Sequence, residues 1–543
     1  MTAAATEPAW LADLLSPRAY PHDTGAGEGI RRIDTHISNV FLTAAHAYKL
    51  RRPVRLSFLD FSDPAERLAD CLREVTLNRR LAADVYLGIA PILAPDKAGA
   101  GVSIGPVAEG PSTDARAIEH CVVMRRLPAG RDLRSMVERG EATGAHLDRV
   151  AARLALFHAA NSLGRPAPFT AAEWLARTTA PARANFEALA TAPPELAPPA
   201  QVEEARRLAA AFAESRADDF EARREAGRVV DGHGDLHAEH VWFEQDEAEP
   251  LMVDCLEFRD DFRRIDAASD AAFLAMDLAY RGRADLGARF LRRYARASGD
   301  YHLFAVVDYF LSYRALVRAK VASLVATDST ISADGRAHAV ESVRRHLQLG
   351  LEFLKQQRPA RLVVICGTIG TGKTTVAEAL ADATGGVVIS SDRLRRDAKA
   401  APAPPVGSAY AHGRYSEAAR AAVYERLFAE ARHVVRSGRV TILDATFSRR
   451  AWRDTAAEWA RAHACETALV EIVAPRDEVI ERLAARAAAG NDASEAGPGL
   501  YDAMRAEFEE PVEWPAGRRA CIDTGAPDWR EQVTAAAKRL GLA

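Results

Sequence analysis

Long apolar runs, paired cysteines and net charge are all scarce in this 543-residue sequence, and each scarcity removes a class of protein. No uninterrupted apolar stretch reaches the roughly 18 residues that a membrane-spanning helix needs, so no transmembrane helix is expected. The six cysteines, Cys71, Cys121, Cys255, Cys366, Cys465 and Cys521, are scattered without a CxxC pair. That spacing fits neither a zinc ribbon nor a disulfide framework, and reduced thiols are the expectation. With 71 Lys and Arg against 75 Asp and Glu, the net charge is −4. A global field to gather nucleic acid or an anionic membrane is therefore missing, and only a local basic patch would do so. The opening MTAAATEPAWLADLL has no basic segment leading into a long apolar run. A soluble cytoplasmic protein with no membrane partner is expected.

What is present is an ordinary globular mixture, 48% hydrophobic and 27% charged. At roughly 100–200 residues per domain, the length calls for two to four folding units. From Ile33 to about Val123, the short strand-like runs NVFL, HAYKL, YLGIAPIL and EHCVVMRRL surround one helical stretch, ERLADCLREVTLNRRLA, and predict a small mixed lobe. The Gly/Pro/Ser-rich insert from Ala94 to Ser112 predicts a hairpin or loop on that lobe. Helical periodicity dominates from Leu133 to Arg228, with the Pro-rich TAPPELAPPA between two of the helices. The short runs RVV, HVWF and LMVDCLEF follow, then helices to about Leu354, then the polar break KQQRPA, a linker from Lys355 to Ala360. Beyond it RLVVIC, GGVVIS, VTILDA and TALVEIV each precede a helical stretch, the alternation of a parallel α/β sheet.

Cys366 to Thr375 reads CGTIGTGKTT, so Gly367, Gly372, Lys373 and Thr374 complete GxxxxGK[ST] between an apolar strand and a helix. In that context the loop, with Gly370 and Thr371 inside it, lets backbone amides curl around a β-phosphate. Lys373 meets the β/γ charge, and Thr374, with Thr375 beside it, offers a hydroxyl to Mg²⁺. Asp392, in SSDRLRRD, stands at the carboxyl edge of the sheet, where open α/β folds hold ligands, and can orient or deprotonate an acceptor hydroxyl. Asp444, in ILDATF, fits a metal or water ligand or a second carboxylate on the acceptor side. Arg482 and Arg486 lie four apart on one helical face, a spacing suited to a phosphate-covering lid. Arg395 and Arg396 are candidates for clamping an anionic acceptor. A nucleotide site follows, and the motif by itself does not choose between ATPase, GTPase and kinase.

From Arg361 to about Gly541 the chain resembles the P-loop kinases related to gluconate kinase and to the 5′-kinase domain of polynucleotide kinases, an AAA-type ATP-binding architecture. The resemblance rests on GTIGTGKTT, SSDRLRRD, ILDATFSRRAWR and ERLAARAAAGNDAS. It implies that Asp392 is the catalytic base.

A second constellation spans VVDGHGDLHAEHVWF, Val229 to Phe243, and MVDCLEF, Met252 to Phe258. Three of the 15 histidines, His233, His237 and His240, fall within eight residues, so a metal must be weighed. His233 and His237 are four apart, but Gly234 argues for a loop and no Glu follows the first His as a HExxH site needs. A kinase catalytic loop fits better. Asp235 takes the Asp position of HRDxxxxN, His240 falls where that pattern has Asn, and Asp254 lies 19 residues on at a strand end, where a metal-binding Asp belongs. Upstream, Lys49 in AYKL and Glu74 in CLREVTLNRRL offer the ion pair that fixes the α- and β-phosphates.

From about Trp10 to Leu354 this arrangement resembles the aminoglycoside phosphotransferase-like family, whose α+β bilobal fold shares the protein-kinase plan. The resemblance implies a small lobe over about 10–127 and a helical lobe over about 128–354. It further implies Asp235 as base, Asp254 as Mg²⁺ ligand, Lys49 and Glu74 as the phosphate-fixing pair, and Met124 to Leu127 as the hinge beside adenine. Two departures stand out: His240 replaces the metal-ligating Asn, and the segment DTHISNVF, Asp34 to Phe41, has no Gly-rich phosphate loop. The order of domains resembles bacterial bifunctional proteins with a fused P-loop kinase.

The expectation is therefore a kinase-like domain over 1–354, a linker at 355–360 and a P-loop kinase domain over 361–543. Two sites would use ATP and Mg²⁺ to phosphorylate hydroxyls of small molecules, aminoglycoside-like or sugar-like. Two alternatives remain open. The N-terminal unit is a pseudokinase that senses a ligand and regulates the P-loop kinase, His240 being its motive, or the C-terminal unit is a polynucleotide 5′-hydroxyl kinase, with Arg393, Arg395, Arg396, Arg449, Arg450 and Arg453 as a local anion-binding surface.

Overall fold

Alternation along the strand His46–Arg51 organises the first part of the molecule. Tyr48 and Leu50 enter an apolar cluster with Tyr20, Phe41, Ile92 and Cys121, while Lys49 and Arg51 both reach Glu74 on the helix Pro64–Ala82. That helix starts where its sequence says it should. Asp63 caps it by accepting the Ala65 amide, and Pro64 occupies the first turn, where its missing N–H costs nothing. These relations come from a computed structural model, which describes residues 7–56, 59–97, 101–355, 359–397, 417–488 and 498–542. The chain divides into two compact units, Met1–Phe169 with Arg224–Arg281, and Thr170–Arg223 with Gly282–Ala543.

The first unit carries a six-stranded antiparallel sheet in the spatial order Arg31–Asp34, Ser38–Leu42, His46–Arg51, Ala117–Arg125, Tyr86–Leu93 and Ser103–Ile104. The insert from Ala94 to Ser112 supplies the last short strand, and its residues 98–100 lie outside the described residues. Val75, Tyr86, Ile89 and Val122 form the core between helix Pro64–Ala82 and the sheet, with Met124 and Leu127 packed at its margin. The turn between the first two strands is closed by Thr35, whose Oγ1 accepts the Ser38 amide at 2.9 Å, and Asp34 takes the Asn39 amide group at 2.7 Å. Helices Leu133–Glu138, Gly144–Ala160 and Ala267–Tyr280 and the short strands Val229–Asp231, Val241–Trp242, Leu251–Met252 and Arg264–Asp266 also belong to this unit.

The second unit joins a set of long helices to a five-stranded sheet. Pro181 sits inside the helix Ala171–Ala190, the Pro-rich stretch leads into Pro199–Ser215, and Val307–Thr327 packs along Ala333–Lys355. The sheet is all parallel, in the order Val387–Ser390, Val440–Asp444, Arg361–Cys366, Glu466–Val473 and Arg519–Asp523. Its strands are nearly continuous apolar runs, as strands covered on both faces must be. Val363, Ile365, Val470 and Ile522 pack against Val376 and Leu380 of helix Lys373–Thr384 and against Val533 and Ala537 of helix Trp529–Arg539. Among the described residues no helix is long and apolar enough to cross a membrane.

Candidate functional sites

In the first unit, the residues picked out by sequence meet across 205 positions of chain. Lys49 Nζ lies 2.9 Å from Glu74 Oε1 and 2.6 Å from Asp254 Oδ1. Burial alone would lower the Lys49 pKa, but Asp254 and Glu74 drive it above its ordinary value and keep the ammonium charged. Burial likewise opposes the charge on Asp254, yet Lys49 and His240 hold its carboxyl well below the usual carboxylate range. The backbone of Asp254 adopts a left-handed φ of 60°, held by its own amide, which donates to the Tyr86 hydroxyl at 3.0 Å. A strained non-glycine conformation of this kind persists where the surroundings over-determine it.

Asp235 is partly exposed in the loop between Val229–Asp231 and Val241–Trp242. Its Oδ2 lies 3.6 Å from His237 Nε2 and 3.7 Å from His240 Nδ1. His240 stands between the two aspartates, with Nε2 3.4 Å from Asp254 Oδ2 and Nδ1 2.9 Å from the Asp235 carbonyl. Burial lowers the His240 pKa, and the neighbouring His237, with ring centroids 3.9 Å apart, adds to that effect. The loop therefore gathers Asp235, His237 and His240 with ligand atoms within 4.8 Å of one another.

What fixes this loop was not visible in the motif. The buried Asp270 accepts the His233 amide at 2.7 Å and the Gly234 amide at 2.9 Å, and Asp277, seven residues further along the same helix, accepts the Ala238 amide at 2.9 Å. Two aspartates on the otherwise apolar helix AASDAAFLAMDLAY are the sequence signal that could have found them, because a buried carboxylate needs donors. A second unforeseen element is Arg51, fully buried and bound by Asp70 at 2.6 Å, by Glu74 at 2.6 Å and by Glu257. It anchors the partner of Lys49 from behind.

In the second unit, Gly372 caps the helix Lys373–Thr384 at φ 88°, and Gly370 at φ 80° passes so close to Val479 that an added Cβ would come within 2.7 Å of it. Only glycine allows both the turn and this close approach. Lys373 Nζ donates to the Thr368 carbonyl at 2.7 Å, inside the loop Gly367–Gly372, and Thr371 Oγ1 closes that loop onto the same carbonyl at 2.9 Å. Thr374 Oγ1 donates to Asp444 Oδ2 at 2.8 Å. The register places Asp444 opposite Ile365 and Ser390, at the carboxyl ends of the central strands. Burial raises the Asp444 pKa and lowers that of Lys373, although each partly restores the other's charge. Asp392 is exposed at the start of the helix Ser391–Asp397 and acts on both groups electrostatically. Thr375 is exposed on the same helical turn as Thr374.

The two arginines expected to form a lid part company. Arg482 donates to Thr524 Oγ1 at 2.8 Å, to the Thr524 carbonyl at 2.9 Å and to Glu478 at 2.8 Å. Thr524 in turn donates to the Thr371 carbonyl at 2.8 Å, so it links Arg482 to the phosphate loop, a role with no motif to announce it. Arg486 is exposed, and its charge acts on Lys373. Of the proposed basic surface, Arg453 is buried, sharing its guanidinium with Glu513 and with the carbonyls of Phe447 and Glu509. It is an internal strut and not an anion-binding surface group, and the side chain of Arg396 lies outside the described residues.

These features belong to a kinase-like fold in the first unit and to a five-stranded parallel sheet carrying a phosphate-loop motif in the second. The chain belongs to the phosphotransferase enzyme family, whose model matches residues 30–308, and an AAA domain model matches residues 362–511. Uncharacterized protein Rv2004c of Mycobacterium tuberculosis and uncharacterized protein Mb2027c of Mycobacterium bovis are each 35% identical over 510 residues, covering 91% of this chain and 92% of the relative. Among solved structures, a gluconokinase from Sinorhizobium meliloti is 21% identical with a TM-score of 0.24, over 34% of this chain and 95% of its own. A choline kinase from Cryptosporidium parvum is 13% identical with a TM-score of 0.37, over 63% of this chain and 94% of its own.

Proposed function

We propose that the protein is a cytoplasmic, ATP-dependent phosphotransferase with two nucleotide sites, each moving the γ-phosphoryl group to a hydroxyl of a small molecule, aminoglycoside-like or sugar-like. The observation that carries the reading is the convergence of Lys49 on Glu74 and Asp254, beside the loop that presents Asp235. Phosphoryl transfer requires positioning and charge neutralisation more than covalent chemistry, and these groups supply both. Lys49, fixed by Glu74, meets the α- and β-phosphates, and Asp235 takes the proton of the acceptor hydroxyl.

In the second unit the loop amides and Lys373 hold the β- and γ-phosphates, Asp392 serves as base, and Arg482 and Arg486 cover the nucleotide. The oxygen donors Thr374 and Asp444 suit Mg²⁺, which would neutralise phosphate charge there. The donor set of the first unit suits that ion poorly, because an imidazole stands beside Asp254. The same His240 supports a second reading, in which the first unit binds nucleotide without transferring it and regulates the P-loop kinase.

The test is mass spectrometry of metabolite and aminoglycoside panels incubated with ATP and the full chain. Lys373→Ala should abolish the products of the P-loop site, and Asp235→Asn should reduce those of the first site by about 10²–10⁴-fold. Wild-type phosphorylation by the double variant overturns both assignments. Nucleotide binding with no product that depends on Asp235 supports the second reading.

A further inference from the structure

The imidazole that stands in the metal-binding position is held in a particular way. His240 ends the single turn Ala238–His240, and its Nδ1 lies 2.9 Å from the Asp235 carbonyl oxygen. A carbonyl oxygen only accepts, so Nδ1 is the nitrogen that carries the proton in that bond. Nε2 is thereby the nitrogen presented to Asp254 Oδ2, 3.4 Å away. The other oxygen of Asp254 is already engaged, because Oδ1 receives Lys49 Nζ at 2.6 Å. An imidazole nitrogen and a carboxylate oxygen thus face each other at close to the separation of two adjacent ligands on one ion, about 3 Å for bonds of about 2.1 Å. Fixing a ligating histidine by a hydrogen bond from its other nitrogen to a carbonyl is the usual outer support of a metal site. His237 and Asp235 stand next to this pair, with their ligand atoms within 4.8 Å of those of His240.

Mg²⁺ is a hard ion that takes oxygen ligands and retains water, and a nitrogen ligand gives it little. First-row transition ions accept imidazole readily, and Mn²⁺ among them also tolerates the carboxylate, phosphate and water oxygens that would fill the remaining positions. We propose that the nucleotide site of the first unit takes a divalent transition ion, with Mn²⁺ favoured over Mg²⁺, and that His240 Nε2 and Asp254 Oδ2 are its protein ligands. The inference rests on the kinase reading of this site. It turns the replacement of Asn by His from a mark of lost activity into a change of metal.

The test uses the full chain carrying Lys373→Ala and Thr374→Ala, which removes the P-loop site from the measurement, with Mn²⁺ and a non-hydrolysable ATP analogue. Electron spin-echo spectra of bound Mn²⁺ should show ¹⁴N coupling that disappears in His240→Asn. Displacement of Mn²⁺ should take an excess of Mg²⁺ at least about tenfold greater in the parent chain than in that variant, a fold-change in keeping with the loss of a metal-site partner. His240→Gln, an independent oxygen donor at the same position, should repeat the result if His240→Asn folds poorly, as thermal unfolding will show. Unchanged ¹⁴N coupling and unchanged metal preference in both variants overturn the assignment of His240. Analogue binding that is equal with Mg²⁺ and Mn²⁺ and still requires Asp254 overturns the metal preference while leaving the kinase reading standing. Absence of analogue binding with either ion overturns the kinase reading and this inference with it.

Discussion

The Asp270 carboxylate holds the His233 amide at 2.7 Å, so a helix residue sets the backbone two positions ahead of Asp235. It also receives the Gly234 amide and meets His158 Nε2 at 3.0 Å. Burial alone would raise its pKa, but His158, His233 and the amides hold it below the usual carboxylate range. Asp270→Asn replaces an anion facing three donors by a group with one acceptor oxygen. Urea denaturation should register a loss of about 2–3 kcal/mol, together with reduced transfer at the first site. His233 itself adds a pH signature. Its Nε2 faces the Val253 carbonyl at 2.9 Å and its Nδ1 accepts the Asp235 amide at 3.3 Å, so the fold uses the neutral ring, and burial pushes its pKa down to about 4. The unfolded chain takes this proton first, near pH 6.5, so the stability present above that pH is lost as pH falls towards 4, by up to about 3 kcal/mol. A His233→Gln chain should show a shallower loss between pH 7 and 5; equal slopes count against the neutral ring.

Arg51 and Glu257 call for opposite responses to mutation. Arg51 is a buried cation shared among Asp70, Glu74 and Glu257, and replacing it by Met strands the Asp70 and Glu74 carboxylates, a loss of about 3–5 kcal/mol. Glu257 is pushed up, first by burial and then by Glu74 and Asp70, against the pull of Arg51. A carboxyl raised in the fold binds its proton more tightly there than in the unfolded chain. Its stabilising effect is present at low pH and is lost as pH rises through the folded value. Glu257→Gln should therefore be mild at neutral pH and should flatten the decline in stability between about pH 4.5 and about 8. A Glu257→Gln loss as large as that of Arg51→Met would show that Glu257 is ionised.

Within the second unit, Arg289, Arg292, Arg293 and Arg296 form one stripe along the helix Ala284–Ser298, at the spacing that puts them on one face. Arg289 and Arg292 meet Asp382, and Arg293 and Arg296 meet Glu378, both on the P-loop helix. Each such pair, partly exposed, contributes less than about 1 kcal/mol alone. Reversing both acids, Glu378→Lys with Asp382→Lys, removes four pairs and adds repulsion, for an expected loss of about 2 kcal/mol in thermal unfolding. That loss should shrink as salt is raised. A salt-independent loss would assign it to packing instead.

The sites were legible in the sequence to the extent that their chemistry is local. Gly367 to Thr375 are consecutive, and a strand before them and a helix after them suffice to read a phosphate loop. Lys49, Glu74, Asp235 and Asp254 are far apart, and they are joined only because the spacing of a kinase loop is itself a pattern. The supports were hidden because they are set by tertiary packing. Arg51 reaches Glu257 across 206 positions, Thr524 reaches Thr371 across 153, and nothing in the neighbourhood of either residue announces it. The same holds for Arg453, whose place in a run with Arg449 and Arg450 suggests a basic surface, while its burial against Glu513 comes from a contact 60 residues away. Local pattern nominates groups for a ligand, and long-range contacts decide which charges are already committed within the fold.

The electrostatics of the P-loop site set the width of its pH profile. Burial raises Asp444 above the ordinary carboxylate value of about 3.9 and lowers Lys373 below the ordinary value of about 10.4. Proton uptake by Asp444 weakens it as the acceptor of the Thr374 hydroxyl, and proton loss by Lys373 removes the charge proposed to meet the phosphates. In an Asp235→Asn background, kcat/KM for ATP at this site reports the free protein, and it should fall on the acid side above pH 4 and on the alkaline side below pH 10. Bound phosphates restore the charge on Lys373, so the alkaline limb of kcat should lie at higher pH than that of kcat/KM. Lys373→Arg, whose guanidinium stays charged throughout, should abolish the alkaline limb whatever activity it leaves. An alkaline limb unchanged by Lys373→Arg would assign that titration to a different group and remove Lys373 from the account of nucleotide capture.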